Sequence, residues 1–267
     1  MAAATPVTPR PASTLVLMRD PPQGGPPELL VMERSASADF AAGAYVFPGG
    51  GLEAPDQSPE AVRLSPGLVP ALAGQTLGSA TSDAEALGYY VAAIRETFEE
   101  SGILLGRPGP GQAASTAAAV AQARAQMNQG ALSFLDWMAR EGWVLSTEQL
   151  VYFAHWVTPE AVPKRFDTRF FLAAAPQGME AAHDAQEVVS HRWITAEAAL
   201  EAWRQKRIHM IEPTVKNLEK LAEFPSTQAA LQGLRGKPVT RIMPKLVVNA
   251  QGKRVIVFPW DPAYETA

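Results

Sequence analysis

The segment DAEALGYYVAAIRETFEESG at 83–102 constrains this chain more than any other stretch. Asp83 as an N-cap and Gly102 as a terminator predict a helix with both ends marked. At about 100° per residue, with Glu96 set to zero, Glu99 falls at about 300° and Glu100 at about 40°. Val91, Ile94 and Phe98 fall at about 220°, 160° and 200°. One flank is therefore built to pack on another layer, and the opposite flank gathers three carboxylates. Like charges at these spacings cost helix stability unless something positive sits among them. Oxygen donors at this density suit a hard divalent cation, magnesium or manganese, which accepts a few carboxylates and keeps waters for a phosphate substrate.

Composition narrows what such a helix can serve. The chain has 267 residues, 47% of them apolar and 19% charged, enough to bury a sizeable core. With no cysteine, disulfide frameworks, thiolate metal sites and cysteine nucleophiles are excluded. The net charge of −4 gives no basic excess to draw the chain to nucleic acid or anionic membrane. An anionic substrate would then need a local device, such as a metal, to overcome the overall repulsion. No apolar run reaches the roughly 18 residues of a membrane span, and residues 1–12 read as a disordered lead-in without a secretory core. A cytoplasmic location is the expectation.

Strands are expected at 13–18, 28–33 and 44–47, the last running into Pro48 and Gly49-Gly50-Gly51. Residues 54–82 read as a long loop or a partly helical insertion. RPGPG at 107–111 reads as a break, followed by an alanine-rich helix over 113–128 and a short helix from the Ser133–Asp136 capping box to Arg140. Further strands are expected at 150–158, 168–175 and 188–194. Helices should follow from Thr195 and near Pro213, with a hairpin over 245–258. Mixed strands and helices around one sheet argue for an α/β or α+β fold in a single domain over 13–260.

Two segments together resemble a family signature. Gly50, Asp56 and the run Arg95-Glu96-Thr97-Phe98-Glu99-Glu100-Ser101-Gly102-Ile103 are similar to the box of the Nudix hydrolases, G-x5-E-x7-R-E-U-x-E-E-x-G-U with U aliphatic. Asp56 stands at the pattern's glutamate and Thr97 at an aliphatic position. Residues 57–94 fill a gap where the pattern has seven. One branch of the family, which includes the peroxisomal coenzyme A diphosphatases, carries such an interrupted box. Residues 29–50, WVTPEAVPKRFDTRFFLA (156–173), AQEVVSHRW (185–193) and PKLVVNAQGKRVIVFP (244–259) resemble that branch as well.

The resemblance implies a Nudix α/β/α sandwich with a mixed sheet and insertions at about 57–87 and 107–145, the second serving as a lid or a contact in a homodimer. It implies hydrolysis of a diphosphate linkage in a nucleoside diphosphate derivative. Coenzyme A or acyl-CoA would give 3′,5′-ADP and (acyl-)4′-phosphopantetheine. Glu96, Glu99 and Glu100, helped by the Gly50 carbonyl, would hold Mg2+, with Mn2+ able to substitute. Arg95 would orient a glutamate, and Glu96 or Glu187 would act as general base. Arg34, Glu53, Arg165 and Arg169 are the candidate substrate contacts. An ordinary ion-pair row competes for Arg165, Asp167 and Arg169, which alternate along a strand. Two other functions compete: a Nudix pyrophosphatase for ADP-ribose, NADH or dinucleotide polyphosphates, and a non-catalytic Nudix scaffold that senses a nucleotide.

Overall fold

A computed structural model describes residues 7–38, 41–78, 82–179, 181–182, 188–249 and 251–266. The chain opens with β1 (Arg10–Arg19), β2 (Glu28–Arg34), β3 (Ala44–Val46) and β4 (Gly49–Gly51). Helices α1 (Pro59–Leu64), α2 (Pro70–Leu77) and α3 (Asp83–Ser101) follow. Next, β5 (Gly106–Pro108) and β6 (Trp143–Leu145) pair across α4 (Ala117–Asn128) and α5 (Phe134–Arg140). Then come β7 (Val151–Val157), β8 (Phe166–Ala174), β9 (Val188–Thr195), α6 (Ala196–Arg204), β10 (His209–Met210), α7 (Glu212–Leu221) and α8 (Thr227–Leu234). The chain continues through β11 (Arg241–Ile242) and the hairpin of β12 (Lys245–Val248) and β13 (Arg254–Val257).

The main sheet runs β10-β3-β2-β1-β8-β7-β11, with β4 also paired to β1 and β9 to β2. It is mixed, because β1 and β8 run parallel while β1 and β2, and β7 and β8, are antiparallel. Alternation along the strands builds two cores. Leu15, Leu17, Leu30 and Phe171 pack on one face with Val91, Ile94 and Phe98 of α3. Val16, Met18, Leu29 and Leu172 pack on the other with Leu200 of α6 and Val215 and Leu218 of α7. The result is the expected helix–sheet–helix sandwich. Among the described residues no helix is long and apolar enough to cross a membrane.

Several boundaries differ from the sequence reading. The cap of α3 is Ser82, whose hydroxyl accepts from the Glu85 amide at 3.1 Å, so Asp83 is the first helical residue. Strand β1 starts at Arg10, inside the expected lead-in of 1–12, because its first residues pair with β8 from Phe166 onward. For 54–82 the partly helical alternative holds, with two helices that each open on a proline at the first position (Pro59 and Pro70). RPGPG is not merely a break, since Gly106–Pro108 forms a ladder with Trp143–Leu145. Helix α8 had no forecast; it is short and carries a glycine at 233.

Phe98 is fully buried, stacked on Trp137 with ring centroids 5.5 Å apart and an interplanar angle of 2°. It joins α3 to the 107–145 insertion. Phe98→Ala is expected to lower the unfolding free energy by about 3–5 kcal/mol in urea denaturation. A loss below about 1 kcal/mol would show that the insertion does not share the core of α3.

Candidate metal and diphosphate site

Arg95 is the hub of the site. Its guanidinium is 9% exposed and has five N–H donors, each of which meets an acceptor. Nε donates to Asp56 Oδ1 at 3.0 Å and Nη2 to Asp56 Oδ2 at 3.0 Å. Nη2 also donates to the Gly51 carbonyl at 2.9 Å. Nη1 donates to Glu96 Oε1 at 2.9 Å and Glu99 Oε2 at 3.2 Å. Burial opposes the charge on Arg95, but Asp56, Glu96 and Glu99 outweigh it and hold the guanidinium protonated. Asp56 is fully buried and also accepts from the Glu53 amide at 2.9 Å. Its side chain therefore closes the interrupted box in space across residues 57–94.

The helical wheel is borne out by burial. Val91, Ile94 and Phe98 are inaccessible, while Glu96 and Glu99 retain 16% and 26% side-chain exposure. Glu100 is more enclosed: its Oε2 accepts from the Gly49 amide at 3.0 Å, and Arg34 Nη1 lies 4.0 Å from its Oε1. A Cβ on Gly50 would lie 2.5 Å from the Glu96 carboxylate, so only glycine lets that group rest against β4. Among the described residues, however, no three aspartates, glutamates or histidines stand together as a ready metal cage. Arg95 draws Glu96 and Glu99 to one nitrogen, and Gly49 holds Glu100 aside. The trio shares a flank but is not convergent.

The donor chemistry nevertheless fits a hard divalent cation, because carboxylates on successive turns adjoin a glycine cradle. Burial pushes the Glu96 carboxyl up to about 7, against the opposing pull of Arg95. Burial raises Glu99 too, and Glu53 adds to that shift, which places Glu53 at the rim. In both, burial disfavours the ionised form more than Arg95 favours it.

Arg169 shares a register row with this site. Gly50 pairs with Ser13, Ser13 with Arg169, Arg169 with His155, and His155 with Arg241. Two strand spacings put the Arg169 backbone about 10 Å from Gly50. The row faces α3, since the Ser13 hydroxyl donates to the Tyr89 carbonyl and Arg169 lies over the Tyr89 ring at 4.8 Å. Arg169 pairs with Asp167 and lies 2.7 Å from His155 Nε2, while its own Nε has no partner. Burial lowers the His155 pKa, and Arg169 and Arg241 add to that against Asp167.

Arg165 is held mainly by main-chain carbonyls. It is 5% exposed and donates to the Thr158 carbonyl at 3.0 Å and the Val7 carbonyl at 2.6 Å, with Met243 Sδ at 3.5 Å from Nη2. Its guanidinium braces the chain before β1. Glu187 lies outside the described residues.

Two residues escaped the sequence reading altogether. Arg124 of α4 donates to the Glu99 carbonyl at 3.0 Å and the Glu100 carbonyl at 2.7 Å, and Asn128 donates to Glu99 at 3.2 Å. They cap the final carbonyls of α3, where a cation is favoured. Helix α4 thus anchors the end of the helix that carries the acids. An alanine-rich segment gives no hint of this; only the isolated arginine was visible. Asp56 was visible as a pattern position, but its contact with Arg95 was not.

A scan of family models matches residues 9–221 to the NUDT19 Nudix domain. A crystal structure of a Nudix hydrolase from Alicyclobacillus acidocaldarius superposes with a TM-score of 0.73 at 28% identity, covering 88% of this chain and all of that one. The acyl-coenzyme A diphosphatase NUDT19 of Homo sapiens is 30% identical over 96% of this chain and 76% of its own. The protein of the same name from Gallus gallus is 32% identical over 89% and 74%. Fold and site together define a Nudix hydrolase. Within that class, this chain belongs to the NUDT19 Nudix domain family. Nudix hydrolases act with a divalent metal.

Two outcomes follow for metal binding. A cation must displace the proton that Glu96 retains up to about pH 7. Apparent Mn2+ affinity measured by calorimetry should therefore rise up to about tenfold per pH unit below 7 and flatten above it. Affinity independent of pH between 5.5 and 8 would remove Glu96 from the ligand set. Gly50→Ala should fold yet weaken Mn2+ binding by about 10–100-fold, and unchanged binding would show that the cradle is irrelevant.

Proposed function

We propose that this chain hydrolyses the diphosphate bond of coenzyme A and acyl-CoA, releasing 3′,5′-ADP and (acyl-)4′-phosphopantetheine, with Mg2+ as the working cation and Mn2+ able to substitute. The observation that carries the hydrolytic reading is the five-bond Arg95 hub, which keeps two acids on the α3 flank beside Gly50. A nucleotide sensor could lose those acids freely, so their retention favours a hydrolase. The choice of coenzyme A rests on the two similar proteins named acyl-coenzyme A diphosphatase.

Glu96, Glu99 and Glu100 would hold the cation, which when bound neutralises diphosphate charge and acidifies a water. Arg95 keeps Glu96 and Glu99 oriented and spends no donor on substrate. With Oε1 committed to Arg95, Glu96 has Oε2 left to serve as the proton acceptor. A base near neutrality contributes about 10²–10⁴-fold. Glu187 is the other candidate base. Arg34, beside Glu100, and Arg169, in the Gly50 row, are the cations proposed to meet substrate phosphates, with Glu53 at the rim.

Glu100→Gln is expected to remain folded and to lose about 10²-fold or more in turnover, because the Gly49 amide keeps an acceptor while the negative charge is lost. Wild-type turnover in magnesium would remove the α3 flank from catalysis. Across coenzyme A, acyl-CoA, ADP-ribose, NADH and a dinucleotide polyphosphate, the coenzyme A compounds should have the highest kcat/KM. Faster ADP-ribose cleavage would overturn the substrate assignment and leave the hydrolase intact.

A further inference from the structure

The face of the sheet turned away from α3 holds a cavity of about 280 Å3 between β7, α7 and the segment entering β11. Phe153, Trp156, Val239, Ile242 and Trp260 supply its apolar wall. Phe153 and Trp156 belong to the core cluster shared with α6 and α7, whereas α3 packs in the other cluster. The sheet therefore separates this cavity from Glu96, Glu99 and Glu100.

Asn217, Lys216 and Lys220, with Thr240 beside them, give the cavity its polar chemistry. Asn217 is 2% exposed; its Oδ1 accepts from Trp156 Nε1 at 3.4 Å, and its buried Nδ2 has no partner. Buried amide donors are ordinarily bonded, so an unmet one lining a cavity calls for an acceptor. Lys220 donates to the Phe153 carbonyl at 2.9 Å, and Lys216 to Glu219 at 2.9 Å. Each ammonium has three donors, so neither is exhausted. Among the described residues, no acid lines the cavity. Trp260 is 55% exposed, stacked on Phe258 with centroids 4.8 Å apart and an interplanar angle of 6°.

The unmet Asn217 donor, beside ammonium groups that keep donors to spare after Glu219 and the Phe153 carbonyl are served, selects an acceptor with negative charge. Inorganic phosphate would leave the aromatic and aliphatic wall unused, and an uncharged chain would leave the lysines and Asn217 unanswered. We propose that this cavity binds a small apolar carboxylic acid. Its carboxylate accepts from Asn217 Nδ2 and one lysine, and its body lies on Trp156 and Trp260. At about 30 Å3 per water-sized group, the space takes about nine such groups, the size of a medium-chain acid.

The test uses the metal-free full chain, so its outcome does not depend on hydrolysis. Octanoate is titrated while tryptophan fluorescence is followed, because Trp156 and Trp260 both line the cavity. The expected result is a saturable change with a dissociation constant on the order of 0.1–1 mM. Lys216→Glu should weaken binding tenfold or more, as should the isosteric Asn217→Asp, and octanol and inorganic phosphate should bind at least tenfold more weakly than octanoate. Lys216 is on the surface, so its variant decides the matter if Asn217→Asp does not fold. No saturable change, equal affinity in Lys216→Glu, or phosphate binding as tightly as octanoate would each overturn the proposal. Displacement of octanoate by ADP would also overturn it, by placing the acid on the α3 face.

Discussion

The bidentate pair between Arg95 and Asp56 is the contact on which the site depends. It buries two opposite charges, which costs solvation that only close geometry and full hydrogen bonding offset. Here both conditions are met, since every donor of Arg95 is used and Asp56 also receives the Glu53 amide. The pair ties the loop after β4 to the middle of α3 while residues 57–94 travel through α1 and α2 between them. A long detour in the chain therefore leaves the carboxylate geometry untouched. Removing one partner would strand a buried charge, the more costly failure.

Around that pair, each element limits one freedom of the acids. The apolar flank of α3, seated on Leu15, Leu17 and Phe171, fixes the helix rotation that turns Glu96 and Glu99 outward. Glycine in β4 lets the Glu96 carboxylate lie against the strand, and the Gly49 amide holds Glu100. Arg124 and Asn128 fasten the last turn from outside the sheet. Rotation, depth and end position of the helix are thus set by three different parts of the chain. Burial raises the proton affinity of Glu96, with Glu99 and Asp56 adding to it, and a cation beside the carboxylate would favour the ionised form instead.

Much of this was legible in the sequence because it is periodic or local. The flanks of α3 follow from its spacing, Thr195 and Ser133 cap where their positions suggest, and the strands follow from Val-rich runs. The box residues were readable because their spacing is tight. What could not be read is what tertiary contact decides. Arg165 and Arg169 sit four apart, one just before β8 and the other within it, yet one braces main-chain carbonyls near Val7 while the other joins Asp167 and His155 in the Gly50 row. Alternation gives the face of a side chain but not its partner. Arg124 in an alanine-rich helix gave no sign of its target for the same reason. The convergence of the three acids was also overstated by the wheel, which gives direction and omits the competing hold of Arg95 and Gly49.

The central claim is that the outward flank of α3, organised by Arg95 and Asp56, is where the divalent cation sits. Anomalous diffraction from a crystal soaked in Mn2+ tests it most directly. A peak bounded by Glu96, Glu99 and Glu100 next to Gly50 is the predicted result, with Glu100 swung away from the Gly49 amide to join the others. An empty flank, or manganese bound elsewhere at full occupancy, would contradict it.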